Sequence, residues 1–106
     1  AAADAAASGW SADLLDLRTL SPLDAEAVLT SVRKTGRVLI VHEAPRFAGL
    51  GAEIAALASE KALLHLKAPI LRVTAPDITV PLPKSERVYY VDAAKVGAGI
   101  RRLMEF

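Results

Sequence analysis

The chain has 106 residues, 13 Lys+Arg against 12 Asp+Glu, a formal net charge of +1, 53% hydrophobic residues and no cysteine. That length suits a single domain spanning 1–106, and a mean hydropathy of +0.33 excludes intrinsic disorder. Balanced charge argues against a nucleic-acid binder, no apolar run is long enough to cross a bilayer, and disulfides and thiolate metal sites are excluded. Only His42 and His65 are available as imidazole ligands. The Ala-rich start has neither the basic nor the Leu-rich region of a secretory signal, so the expected location is the cytoplasm.

Ala1 to Ser8 is almost pure alanine and predicts a helix stopped by Gly9. Ala12–Leu17 alternates in part and predicts a short strand. Ser21-Pro22-Leu23-Asp24 reads as a helix start, with Ser21 or Asp24 as cap and Pro22 tolerated in the first turn. Ala25, Val28, Leu29 and Val32 then share one helical face, Arg33 and Lys34 favour the last turn, and Gly36 ends it. The β-branched run Arg37–His42 predicts a strand covered on both faces, as in a parallel sheet.

A loop with Pro45, Gly49 and Gly51 leads to a helix over about Leu50–His65, burying Leu50, Ile54, Leu57, Ala58 and Ala62. A further strand is expected over Ile70–Thr74. Pro76, Pro81 and Pro83 make Ala75–Ser85 an extended loop, and Tyr89-Tyr90-Val91 reads as short strand or coil. Asp92 caps a last helix reaching Phe106, weakened by Gly97 and Gly99. The alternation predicts a three-layer α/β/α fold on a mainly parallel sheet. The opening on a helix leaves the first strand of such a fold missing.

His42-Glu43 falls just past the central strand's C-terminal end, where open α/β sheets place ligands. The two residues suit an acid/base pair or a His–Glu hydrogen bond closing the loop, and no nucleophile lies near them in sequence. Gly49-Leu50-Gly51 at a helix start suits an anion nest or a tight turn with close packing. Arg46 beside it suits a bound anion or an inter-subunit salt bridge. Asp16 and Arg18 alternate onto one side and suit an internal ion pair or an interface contact. No residue stands out as catalytic, cofactor-binding or metal-ligating.

Several longer stretches carry a resemblance. Asp16-Leu17-Arg18-Thr19-Leu20-Ser21-Pro22-Leu23-Asp24, Ser31 to Arg37 and Val41-His42-Glu43-Ala44-Pro45-Arg46 come first. Gly49-Leu50-Gly51-Ala52-Glu53-Ile54, Ala68 to Asp77 and Val80-Pro81 follow in the same order and spacing. Together they resemble the beta subunit of thiamine-diphosphate-dependent 2-oxoacid dehydrogenases of the pyruvate, branched-chain or acetoin type. The matched part is the transketolase C-terminal-like domain.

The resemblance implies a heterotetramer of alpha and beta subunits that decarboxylates a 2-oxoacid and acylates a lipoyl group. It implies thiamine diphosphate and magnesium in the parent enzyme, bound outside this chain, and a dihydrolipoyl acyltransferase component as a further partner. The domain itself would build subunit interfaces, through Asp16, Arg18, His42, Glu43, Arg46, Gly49 and Gly51, without catalytic activity of its own. The family's terminal aromatic residue, near the acyltransferase's subunit-binding domain, maps to Phe106. Where relatives commonly place an acidic residue before Ala-Pro, this chain has Lys67, with reversed charge. Family members also pair a strand inside the sheet ahead of the Ala1–Ser8 helix. Its place is expected to be filled by another segment or chain, or this chain is a piece cut from a longer one. The competing readings are another transketolase-like enzyme, such as a deoxyxylulose-phosphate synthase, and a free-standing anion-binding module using Gly49–Gly51.

Overall fold

The structure, a computed structural model, describes residues 6–18, 23–77 and 91–106. The Ser21 and Pro22 helix start, the Pro81 and Pro83 loop and Tyr89-Tyr90 lie outside the described residues, as does most of the Ala1–Ser8 helix. Residues 6 and 7 are helical, and Gly9 follows at φ +85 with its N–H on the Ala6 carbonyl at 3.0 Å.

The elements in order are α1 (Ala25–Thr35), β1 (Leu39–Pro45), α2 (Leu50–Ala62), a 3-10 turn (Leu63–His65), β2 (Leu71–Ala75) and α3 (Ala93–Met104). α1 starts where Asp24 accepts from the Ala27 N–H at 3.1 Å, and it ends at Gly36 in the left-handed region. Val28, Leu29 and Val32 are its buried residues, as their spacing predicts. α2 buries Gly51, Ile54, Ala58 and Ala62, while Leu50 and Leu57 pack half-buried against the same core. The expected helix to His65 therefore tightens into a 3-10 turn after Ala62.

β1 and β2 pair in parallel, with Leu39 opposite Leu71, Ile40 opposite Arg72 and Val41 opposite Val73. Successive strand residues point to opposite faces. Ile40 turns into the α1–α2 core, while Leu39 and Val73 meet α3. Helices therefore cover both faces, and a parallel α/β/α arrangement is present.

Two expectations need correction. Ala12–Leu17 forms no strand: Leu14 is 89% exposed, and only Leu17 packs on the core. Its one side-chain anchor of note is Asp13, which holds Lys34 at 3.1 Å and Ser31 at 3.4 Å on α1. A strand needs a neighbour's main chain, and among the described residues none is paired with this segment.

The run Arg37–Val41 is likewise not buried throughout. Ile40 is buried and Leu39 half-buried, but Val41 is 44% exposed. β1 has β2 on one edge only among the described residues, so the run is central in sequence but not in the sheet.

Gly99 also departs from its reading as a weak point of the last helix. A Cβ there would come within 2.7 Å of Val73 Cγ2 and 3.2 Å of Leu39 Cδ1. The missing side chain lets α3 sit close on the sheet, which offsets the helix-propensity loss of about 1 kcal/mol. Among the described residues no helix is long and apolar enough to cross a membrane.

Candidate functional site

The C-terminal ends of β1 and β2 gather most of the residues singled out from sequence. His42 is half-buried, and its Nδ1 lies 3.1 Å from the Ala44 carbonyl oxygen. A carbonyl only accepts, so Nδ1 is the donor and a neutral ring keeps Nε2 as an acceptor. Nε2 is buried without a hydrogen-bond partner. Its ring lies against the start of α2: a Cβ on Gly51 would come within 2.7 Å of His42 Cδ2 and 3.1 Å of Ile40 Cγ2. A Cβ on Gly49 would meet the Pro45 carbonyl at 2.5 Å and His42 Cε1 at 3.0 Å.

The side of Gly49 and Gly51 where a side chain would stand is thus occupied by the imidazole. The close packing expected of these glycines is present. The expected His42–Glu43 hydrogen bond is not formed: the ring bonds to Ala44 instead, and Glu43 is exposed. The physical reason is the alternation of a strand, which sends adjacent side chains to opposite faces.

Arg46 and Arg72 clasp each other's main chains. Arg46 Nη1 donates to the Arg72 carbonyl and Arg72 Nη1 to the Arg46 carbonyl, each at 3.1 Å. Phe47 N–H donates to Asp77 Oδ1 at 2.7 Å, closing the same turn, where Ala48 sits at φ +55. Arg46, Thr74, Asp77 and Lys95 line a cleft of about 380 Å³ there. Arg46 therefore caps a strand end. Asp16 and Arg18 are exposed and share a main-chain bond, Arg18 N–H to the Asp16 carbonyl at 3.1 Å.

The opposite end of the sheet joins two positions far apart in sequence. Lys67 N–H donates to the Gly36 carbonyl at 2.7 Å. Arg37, the next residue, donates from Nη2 to the Phe106 carbonyl at 3.0 Å. Lys67 and Phe106 are both exposed. Sequence reading singled out both ends of this chain of contacts but missed Arg37 as the link, as it missed Asp13 on α1. Neither has a local signal, because both reach partners distant in sequence.

Among the described residues no three His, Asp or Glu side chains come together as a ligand set for a metal.

The fold and these motifs have relatives. The model of the transketolase C-terminal domain matches residues 1–96. The chain belongs to the transketolase C-terminal domain family. It is 44% identical over 97 residues to the pyruvate dehydrogenase E1 component subunit beta of Acholeplasma laidlawii, covering 92% of this chain and 30% of that protein. It is 47% identical over 98 residues to the 2-oxoisovalerate dehydrogenase subunit beta of Pseudomonas aeruginosa, covering 92% of this chain and 28% of the relative.

Among solved structures, a split gene transketolase described as an inactive beta4 tetramer superposes with a TM-score of 0.81 at 28% identity. That match covers 98% of this chain and 33% of the other. The chain thus spans about a third or less of the proteins it matches.

Proposed function

We propose that this chain works as the C-terminal domain of the beta subunit in a cytoplasmic 2-oxoacid dehydrogenase, as one domain over its whole length. The parent enzyme would decarboxylate a 2-oxoacid and pass the acyl group to a lipoyl arm. Identities of 44% and 47% to beta subunits of that class support the reading.

Within it, the domain holds subunits together: Asp16, Arg18, His42, Glu43, Arg46, Gly49 and Gly51 shape and present its interfaces to the alpha subunit and a second beta subunit. Thiamine diphosphate and magnesium then belong to other domains. The docking role for the acyltransferase rests on one observation: Lys67 and Phe106 reach the adjacent residues Gly36 and Arg37, so both stand at one end of the sheet.

The experiment is calorimetric titration of this chain with the subunit-binding domain of a dihydrolipoyl acyltransferase. Phe106→Ala should weaken binding about tenfold, the scale of one interface anchor. Lys67→Glu should strengthen it, by restoring the family's usual charge opposite an arginine. No binding by the wild type, or the reverse sign at Lys67, overturns the docking role. In parallel, saturable micromolar binding of thiamine diphosphate with magnesium would overturn the placement of the cofactor elsewhere.

A second reading, a domain of another transketolase-like enzyme such as a deoxyxylulose-phosphate synthase, is favoured by the structural match to a split gene transketolase. Failure to bind any acyltransferase domain would move the assignment there.

A further inference from the structure

Between α1 and β1 the chain turns a corner at Thr35-Gly36-Arg37, and both residues assigned to docking hang from it. Gly36 sits at φ +71, and its carbonyl accepts from the Lys67 N–H at 2.7 Å. A Cβ on Gly36 would come within 2.9 Å of Lys67 Cγ and 3.0 Å of Lys67 Cδ. The aliphatic stem of Lys67 therefore lies across the bare glycine, which sets where its ammonium stands. Arg37 reaches the other way, from Nη2 to the Phe106 carbonyl at 3.0 Å, two residues beyond the end of α3. The corner is itself held: the Thr35 hydroxyl lies 2.9 Å from the Ser31 carbonyl and 3.2 Å from the Arg37 carbonyl.

Arg37 makes its reach against a penalty. The residue is half-buried, and its Nε is buried without a hydrogen-bond partner. An orphaned donor on a charged group is unfavourable, and an apolar side chain of similar length would avoid it. The domain's own stability thus gives little reason for arginine at this position. What the guanidinium does supply is a donor on a long packed stem that pins Phe106. Without it, the nearest main-chain bond is Glu105 N–H to the Arg101 carbonyl at 3.2 Å, at a helix end of the kind that frays.

We propose that Arg37 is a positioning residue for docking, holding Phe106 at a set distance from Lys67 so that a partner meets two ordered anchors. The inference rests on the docking reading above and adds a residue that acts through Phe106 without touching the partner. The gain is preorganisation, because ordering a loose segment at the moment of binding subtracts from affinity. The sign of the charge separates this role from direct contact. The docking partner presents an arginine, so removing a cation from this end favours binding electrostatically. Weaker docking on losing Arg37 therefore comes from the release of Phe106.

Arg37→Met tests this, since it removes the orphaned donor and the reach together while keeping a long apolar stem. Its Tm should be unchanged or higher. In the unbound chain the order parameter of the Phe106 amide should fall from about 0.85 to below about 0.6. Calorimetric titration with the subunit-binding domain of a dihydrolipoyl acyltransferase should show Kd raised about three- to tenfold. Arg37→Met combined with Phe106→Ala should bind no worse than Phe106→Ala alone, as expected of a residue that acts only through its neighbour. A lower Tm with Phe106 still ordered makes Arg37 structural and overturns the proposal. So does a Phe106 that is mobile already in the wild type, or an unchanged Kd once Phe106 is mobile. A wild type that binds no subunit-binding domain, while Phe106 still loosens in the variant, overturns the docking reading and the positioning role with it. Should Arg37→Met fail to fold, the shorter Arg37→Gln carries the same order and affinity readouts.

Discussion

Residues 12–17 and 37–42 are the two apolar runs in the first half of the chain that suggest strands, and they meet different ends. The second becomes β1, with its Ile40 buried between helices and its main chain paired to β2. The first stays irregular, with Leu14 and Leu15 exposed at 89% and 43%. Composition leans the same way, since 37–42 holds Val38, Ile40 and Val41 while 12–17 has no β-branched residue and two aspartates. What completes the separation is a paired main chain on at least one edge and helices packed on both faces. A strand's own pattern is permission to pair, and the pairing itself comes from elsewhere in the molecule.

The largest expected effect falls on the paired run. Ile40→Asp loses the burial of a large side chain, about 1.5–3 kcal/mol, and adds an unpaired charge in the core. The chain should lose its cooperative urea transition altogether, read by circular dichroism. A folded, cooperative variant would remove β1 from the core.

Next comes the contact that ties β1 to α2. Gly51→Val drives side-chain atoms into the His42 ring and Ile40, and overpacking of that kind costs about 1–3 kcal/mol. His42→Ala should relieve most of that loss in the double variant, because the ring is what the new side chain meets first. Additive losses in a double-mutant cycle would mean that the clash lies with Ile40 rather than with the His42 ring.

The smallest effect belongs to the unpaired run. Leu14→Lys should change stability by less than about 0.5 kcal/mol, as exposed substitutions do. A loss above 1–2 kcal/mol, about the scale of a partly buried side chain, would show that residues 12–17 are packed after all.

The legible parts of the fold were those with local physics. Asp24 and Asp92 cap their helices, the latter accepting from the Lys95 N–H at 2.8 Å, and Gly36 and Gly9 stop theirs. The buried stripe Val28, Leu29, Val32 follows from spacing on one helix. The site was legible only as a set of positions. Sequence placed His42, Glu43, Arg46, Gly49 and Gly51 near one strand end, but not the imidazole over Gly51 or the Arg46–Arg72 clasp. Those contacts join residues separated by a whole helix or strand, and no local pattern encodes them.

The sequence by itself determined where helices begin and end, which of their faces are apolar, and membership of a family through motifs in fixed order. Those are matters of caps, periodicity and residue identity, which act over a few positions. Only the tertiary structure decided which apolar run becomes a strand, since β pairing needs a second main chain brought from a distance. It decided too that Gly99 serves packing against Val73 and Leu39 rather than merely weakening α3. It alone joined Lys67 and Phe106 through Gly36 and Arg37. Distances between remote residues exist only once the layers have packed.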